Sequence, residues 1–231
     1  MKITYSILAL LFIAVLVTWT QLPEISNNDR LVTRLPWLIQ TDETGGSRVF
    51  GLAIGGSTAR QAQETFNDEA EFAVFIDSDE RRSLEAFFNY TRIAGLQARI
   101  TLTLKSTAAE IEAISRQAID RKAQPSNSYK LVLPDELKET LLSHQFTSLT
   151  YQPKIKIEQQ ILQARFGKPG KILQTDEKTQ QWLYPEKGLS ILTSPDEKPV
   201  FIYVRPDRFD FYHNLSSNDD TGQHKPTDDL K

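Results

Sequence analysis

The sequence predicts an α+β protein, built as two helix-plus-antiparallel-meander units behind an N-terminal transmembrane helix. Three observations predict it. Short segments carry apolar residues at helical spacing, start at capping residues and stop at Asn or Gly. Apolar runs follow one another at hairpin spacing, with no long crossover between them. One uncharged apolar run stands apart near the N-terminus.

The clearest segment is 156–208. Ile157, Ile161, Leu162 and Phe166 lie at helical spacing, Gly167 is free to take positive φ past a helix end, and Pro169 stops the helix resuming. Four apolar runs follow, at 171–175, 180–184, 189–193 and 200–204. Their starts are 9, 9 and 11 residues apart, the spacing of antiparallel strands joined by short turns.

Upstream, 48–54 reads as a strand and Gly55-Gly56-Ser57-Thr58 as the turn into a helix. Thr58 and Gln61 are spaced for a capping box, and the helix runs to Phe66, where Asn67-Asp68 end it. Residues 71–77 and 98–104 are strands, the second with Ile100, Leu102 and Leu104 alternating with polar residues. Residues 83–90 fit a helix through Leu84, Phe87 and Phe88, but the meander around them favours a strand. Ser106-Thr107-Ala108-Ala109-Glu110 contains a second capping box and opens a helix to about Lys122. Its buried stripe would be Ile111, Ile114, Ala118 and Ile119. A strand at 129–133, a helix from Pro134 to His144 and a strand at 146–151 follow. Asp135 and Glu136 suit the N-terminal end of that helix dipole.

The run 3–22 is about the length needed to cross a bilayer, and Trp19 suits the interfacial aromatic belt. A cleaved signal peptide is the alternative, although Thr18-Trp19-Thr20 makes a poor cleavage site. Lys2 competes with Arg30 and Arg34 in the positive-inside count, and the short N-terminal flank favours a cytoplasmic N-terminus. The expected layout is an anchor at 3–22 and a linker at 23–47 whose apolar spot, 35–39, docks on the domain. The α+β units then occupy 48–133 and 134–212, and a polar, disordered tail 213–231. In a bacterium this is a single-pass inner-membrane protein with a periplasmic domain.

A shift of 100 residues places Ala62-Gln63-Glu64-Thr65-Phe66 on Leu162-Gln163-Ala164-Arg165-Phe166. Each copy is an amphipathic helix ending at Phe, then a breaker, then strands. Internal duplication is one reading, and chance likeness of two short helices is the other. The second unit, through Phe166-Gly167-Lys168-Pro169, Trp182-Leu183-Tyr184-Pro185, Gly188 and 189–192, resembles the helix-plus-meander repeat of the β-lactamase inhibitory protein. It is also similar to the outer-membrane assembly lipoproteins of the SmpA/OmlA (BamE) type. The resemblance implies a module that binds other proteins and does no chemistry. The lipid-bearing cysteine of those lipoproteins is missing here, so outer-membrane anchoring does not carry over, and no inhibitory-loop residues map.

Composition narrows the chemistry. A net charge of −3 and a pI near 5.7, with no basic cluster longer than Arg81-Arg82, argue against a nucleic-acid partner. The absence of cysteine excludes thiolate metal sites, disulfides and cysteine nucleophiles. The three histidines, His144, His213 and His224, are too scattered for a metal site without the tail folding back. Gly55-Gly56-Ser57-Thr58 lacks the lysine of a phosphate loop, and Asp77-Ser78-Asp79-Glu80 lacks the glycine and terminal glutamate of a calcium loop. No catalytic, cofactor or metal residue is assigned. The candidate partner surface is aromatic: Trp182, Tyr184, Phe209, Phe211 and Tyr212, with packing back on the sheet as the alternative. The expected function is a membrane-anchored, non-catalytic protein-interaction or assembly module of the cell envelope, its partner another envelope protein. Two alternatives stand beside it: an envelope hydrolase using carboxylates such as Asp77, Asp79 and Glu80, and a binder of a small apolar ligand.

Overall fold

The computed structural model describes residues 35–124 and 127–210. The expected anchor at 3–22, the linker up to residue 34 and the tail at 213–231 lie outside the described residues. Among the described residues no helix is long and apolar enough to cross a membrane.

The apolar spot at 35–39 docks as expected: Trp37 and Ile39 pack against the core, and the Tyr203 hydroxyl donates to the Pro36 carbonyl at 2.9 Å. The chain then forms three short strands, β1 (Gln40–Thr41), β2 (Ser47–Val49) and β3 (Leu52–Ala53). The single strand expected at 48–54 is thus a tight hairpin, turning at Phe50 and Gly51 with φ of 55° and 82°. Two successive positive φ values match the twist of a two-residue hairpin. Phenylalanine is a costly choice for the first of them. Its ring is 1% exposed and meets Phe66, Tyr151 and Tyr203 at 5.5–6.0 Å, and this burial offsets the backbone strain.

Helix α1 (Ala59–Phe66) begins at the expected capping box on Thr58 and ends at Asn67 in the left-handed region. It leads into β4 (Glu71–Ile76), β5 (Arg82–Phe88), the two-residue β6 (Arg92–Ile93) and β7 (Leu96–Leu104). Next come α2 (Ala108–Ser115), β8 (Asp120–Ala123), β9 (Tyr129–Val132), a 3₁₀ turn at Asp135–Leu137 and α3 (Lys138–Leu142). Strand β10 (Phe146–Pro153) precedes α4 (Gln159–Phe166). The last meander is β11 (Lys171–Gln174), β12 (Gln180–Tyr184), β13 (Leu189–Thr193) and β14 (Val200–Val204). The protein is therefore mixed α/β, with four α-helices among the described residues and every strand pairing antiparallel.

One sheet runs through both expected units, in the order β11-β12-β13-β14-β10-β7-β5-β4-β9-β8, with β6 paired to β7 at its margin. Both meanders end at the centre, where β7 and β14 flank β10. Helices α1 and α4 lie 100 residues apart; both have eight residues, bury their fourth and eighth positions and end at Phe.

The helix expected from Thr107 to about Lys122 stops at Ser115. Ile119 donates its N–H to the Val132 carbonyl at 2.9 Å, which draws the chain into β8. Ile111, Ile114 and Ala118 pack partly against the core as expected, but Ile119 is 69% exposed. An edge-strand hydrogen bond outweighs one more helical turn with a single apolar residue to bury.

Gly188 closes the turn into β13 at φ 61°, and a Cβ there would run into the Val204 carbonyl oxygen and into Pro206 at 3.0 Å. Gly51 has comparable φ but open space around it. Gly188→Ala should cost about 2–4 kcal/mol and lower the melting temperature by roughly 5–10 °C. Gly51→Asn should cost about 1 kcal/mol or less. Equal melting temperatures by calorimetry would contradict this account of the turn.

Candidate functional site

Register and burial divide the sheet into two faces. Cross-strand partners share a face, because side chains alternate along each strand. The face toward the helices carries Val74, Leu84, Ala86, Phe88, Ile100, Leu102, Leu149, Tyr151, Phe201 and Tyr203, all buried. Phe66 of α1 meets Phe88 there edge-to-face at 5.4 Å, and Phe166 of α4 meets Phe201 at 5.5 Å and Tyr184 at 6.3 Å. Ile111 and Ile114 of α2, and Leu141 and Leu142 of α3, join the same core.

That layer explains the aromatic residues singled out in the sequence. Trp182, Tyr184 and Phe209 are buried core residues, which corrects their assignment to a partner surface. Trp182 donates to the Gln180 side chain at 3.1 Å, and the Tyr184 hydroxyl donates to the Gly167 carbonyl at 3.0 Å. Desolvation first, then the nearby Glu186 charge, push the Tyr184 phenol up to about 12. Phe209 covers Leu183 and Val204 at one corner of the opposite face. Phe211 and Tyr212 lie outside the described residues.

The other candidates from the sequence are consumed by local structure. Asp77 closes the β4–β5 hairpin, accepting from the N–H groups of Asp79 and Arg81 at 2.9 and 2.8 Å and from the Arg81 guanidinium at 2.7 Å. Partial burial pushes its carboxyl up, but these bonds outweigh that and hold it below the usual carboxylate range. Asp79 pairs with the same guanidinium at 3.2 Å, so the carboxylates of the hydrolase alternative form a tip turn rather than line a cleft. In Gly55-Gly56-Ser57-Thr58, Gly55 donates to the Phe146 carbonyl at 2.8 Å, and Gly56 and Ser57 both donate to Ala53. Ala59 donates to His144, and these amides are spent within the chain rather than left for a phosphate. Among the described residues no cluster of metal-ligating side chains occurs.

A cleft of about 720 Å³ opens where the α1–β4 loop, β9 and α3 meet. Its apolar lining, such as Phe72, Leu133 and Leu141, is interrupted by Glu69, Lys130 and Lys138. Lys138 pairs with Glu69, and Lys130 lies 3.9 Å from Glu71 and 4.7 Å above the Phe87 ring. It is not a continuous apolar pocket, which is what a small apolar ligand would need.

The remaining large surface is the second face of the sheet, and none of the four described helices covers it. Its centre is a band of short polar side chains: Thr101 and Thr103 on β7, Ser148, Thr150 and Gln152 on β10. Ser148 donates to the Thr103 hydroxyl at 2.8 Å, so the band is partly ordered by its own hydrogen bonds. Phe75, Phe87 and Val132 flank it on one side, and Val200, Ile202 and Leu192 on the other, all half-buried. Glu85 sits in this face beside Thr103. Desolvation by its neighbours raises its carboxyl above the ordinary value, opposed by the Ser83 hydroxyl at 2.7 Å and by Lys130. The only early sign of this surface was the alternation from Ile100 to Leu104. Its apolar members were legible as core, and its threonines are the half-buried partners of that pattern.

Compared with protein-family models, curated proteins and solved structures, the chain has no match.

Glu85 gives a pH signature. Its folded-state carboxyl titrates above the ordinary 4.5, so from there up to the raised value the folded state holds more protons than the unfolded state. Stability from this group is therefore present at acid pH and is lost as pH rises through that window. Glu85→Gln should flatten this limb and raise stability near neutral pH, measured by denaturant unfolding across the window. An unchanged pH profile would contradict the assigned desolvation.

Proposed function

We propose that this chain is a membrane-tethered, non-catalytic interaction or assembly module of the cell envelope, and that its protein partner docks on the helix-free face of the sheet. The observation that carries this reading is the one-sided placement of all four described helices over an eleven-stranded sheet. Strands spaced ~4.8 Å apart and rising ~3.3 Å per residue make that face roughly 900 Å². One side of a standard protein–protein interface is ~800 Å². The composition suits a folded protein surface: a polar, nearly uncharged centre between apolar flanks, with Arg99 at one end and Glu85 at the other. The matched layout of α1 and α4, each followed by a meander ending at the sheet's centre, supports internal duplication and the inhibitor-like and assembly-lipoprotein-like resemblance of 156–208.

Photo-crosslinking side chains placed at Thr150 and Phe87 in cells should yield adducts with one or a few discrete envelope proteins, whereas the same group at Glu64 on α1 should not. Thr101→Arg with Thr150→Arg should weaken that association at least tenfold, about 1.4 kcal/mol. Adducts only from Glu64, or none from any position, would sink the reading of the face. The tether is tested separately. The full-length chain should stay in the membrane pellet after alkaline carbonate washing, through 3–22; release into the wash, with the mature mass shortened by that segment, would favour a cleaved signal instead.

A further inference from the structure

The two ends of the sheet are built differently. At one end β8 carries Asp120, Arg121 and Lys122, and charges of this density on an edge strand discourage pairing with another chain. At the other end β11 reads Lys171-Ile172-Leu173-Gln174, with Ile172 50% exposed. The layout of the two meanders sharpens the contrast. Strand β4, first after α1, is paired on both edges, by β5 and by β9. Strand β11, first after α4, is paired among the described residues on one edge only, by β12. The place that β9 takes beside β4 has no occupant beside β11 among the described residues.

The backbone shows which groups are unused. Thr175 donates to the Thr179 carbonyl at 3.0 Å, and β11 runs antiparallel to β12 with Leu173 opposite Gln181. Hydrogen-bonded residues alternate along an antiparallel strand, so Lys171, Leu173 and Thr175 face β12. The N–H and C=O of Ile172 and Gln174 therefore point off the free edge.

We propose that β11 is where two copies of this chain pair, antiparallel about a two-fold axis at Ile172, so that one sheet runs through both. A two-fold axis perpendicular to the sheet keeps both helix layers on one side and sets some residue opposite its own copy. Centring on Lys171 would oppose two lysines, and centring on Leu173 would oppose Lys168 to Lys178. Centring on Ile172 joins its free N–H and C=O to the same groups of the second copy and buries its half-exposed side chain against itself. The same register sets Lys171 against Leu173 and Lys168 against Asp176, an attractive pair. Ile161, 49% exposed on α4, lies in the same helix layer as the Ile172 side chain and extends the apolar contact. The pairing uses the edge of the sheet and not its face, so its failure leaves the docking reading above untouched.

The chain has no native cysteine, so single introduced thiols report cleanly. In the proposed register two residues at position 172 form a hydrogen-bonded pair with Cα atoms ~5.5 Å apart, within disulfide reach. In purified full-length chain, Ile172→Cys should oxidise to a covalent dimer, with Arg121→Cys on β8 and Leu173→Cys remaining largely monomeric. Light scattering should show a concentration-dependent dimer that Ile172→Lys weakens at least tenfold, with its melting temperature little changed because the side chain is half exposed. Three results would each overturn the proposal: a monomer at every concentration, equal crosslinking through Arg121→Cys, or a dimer that survives Ile172→Lys.

Discussion

The pairing of β7 with β10 is the contact on which the rest of the described structure depends. Seven cross-strand pairs, from Phe146–Leu104 to Pro153–Ala98, join residues about fifty positions apart in sequence. Leu102 and Leu149 meet at its centre, as do Ile100 and Tyr151, all essentially removed from solvent. Without this ladder the chain would hold two small sheets, each with a bare edge and a core too thin to offset the entropy of ordering it. With it, one core extends from Leu131 near one end of the sheet to Trp182 near the other.

The ladder also dictates why the helices stand on one side. Each is eight residues or fewer, too short to persist by its own hydrogen bonds, and must bury a stripe against something. The aromatic side chains of the inward face supply that surface. Phe50, Phe66, Phe88, Tyr151, Phe166, Phe201 and Tyr203 form a chain of ring contacts that ties the N-terminal hairpin, α1 and α4 to the central strands. The opposite face is left with threonine, serine and glutamine at its middle. These tolerate water and pack well on a pleated surface.

Much of the local structure was legible because its causes are local. Thr58 with Gln61, and Thr107 with Glu110, form the expected capping boxes, since a box needs only four residues to close. Strands β12, β13 and β14 fall on the expected residues because Gly188 and the polar turns between them bound each apolar run. The Phe50-Gly51 turn was not legible. Nothing within a few residues asks for positive φ at a phenylalanine, and what holds it there are rings from positions 66, 151 and 203. The end of α2 was missed for the same kind of reason, since the competing bond at Ile119 comes from Val132. The aromatic residues of β12 were read correctly as large and placed wrongly, because the side of the sheet on which α4 lies decides whether Trp182 and Tyr184 meet core or solvent.

By itself the sequence determined the capped starts of α1 and α2, most of the strands, the antiparallel meander of the second half and the lack of thiol chemistry. Each follows from spacing over a few residues or from composition. Only the tertiary structure decided that the two meanders share one sheet, that all four described helices cover the same face of it, and that β11 is left with an open edge among the described residues. Those outcomes depend on pairings between residues tens of positions apart, in which two strands of similar alternation compete for the same neighbour. The sum of buried area over the whole domain, rather than any one segment's preference, selects among them.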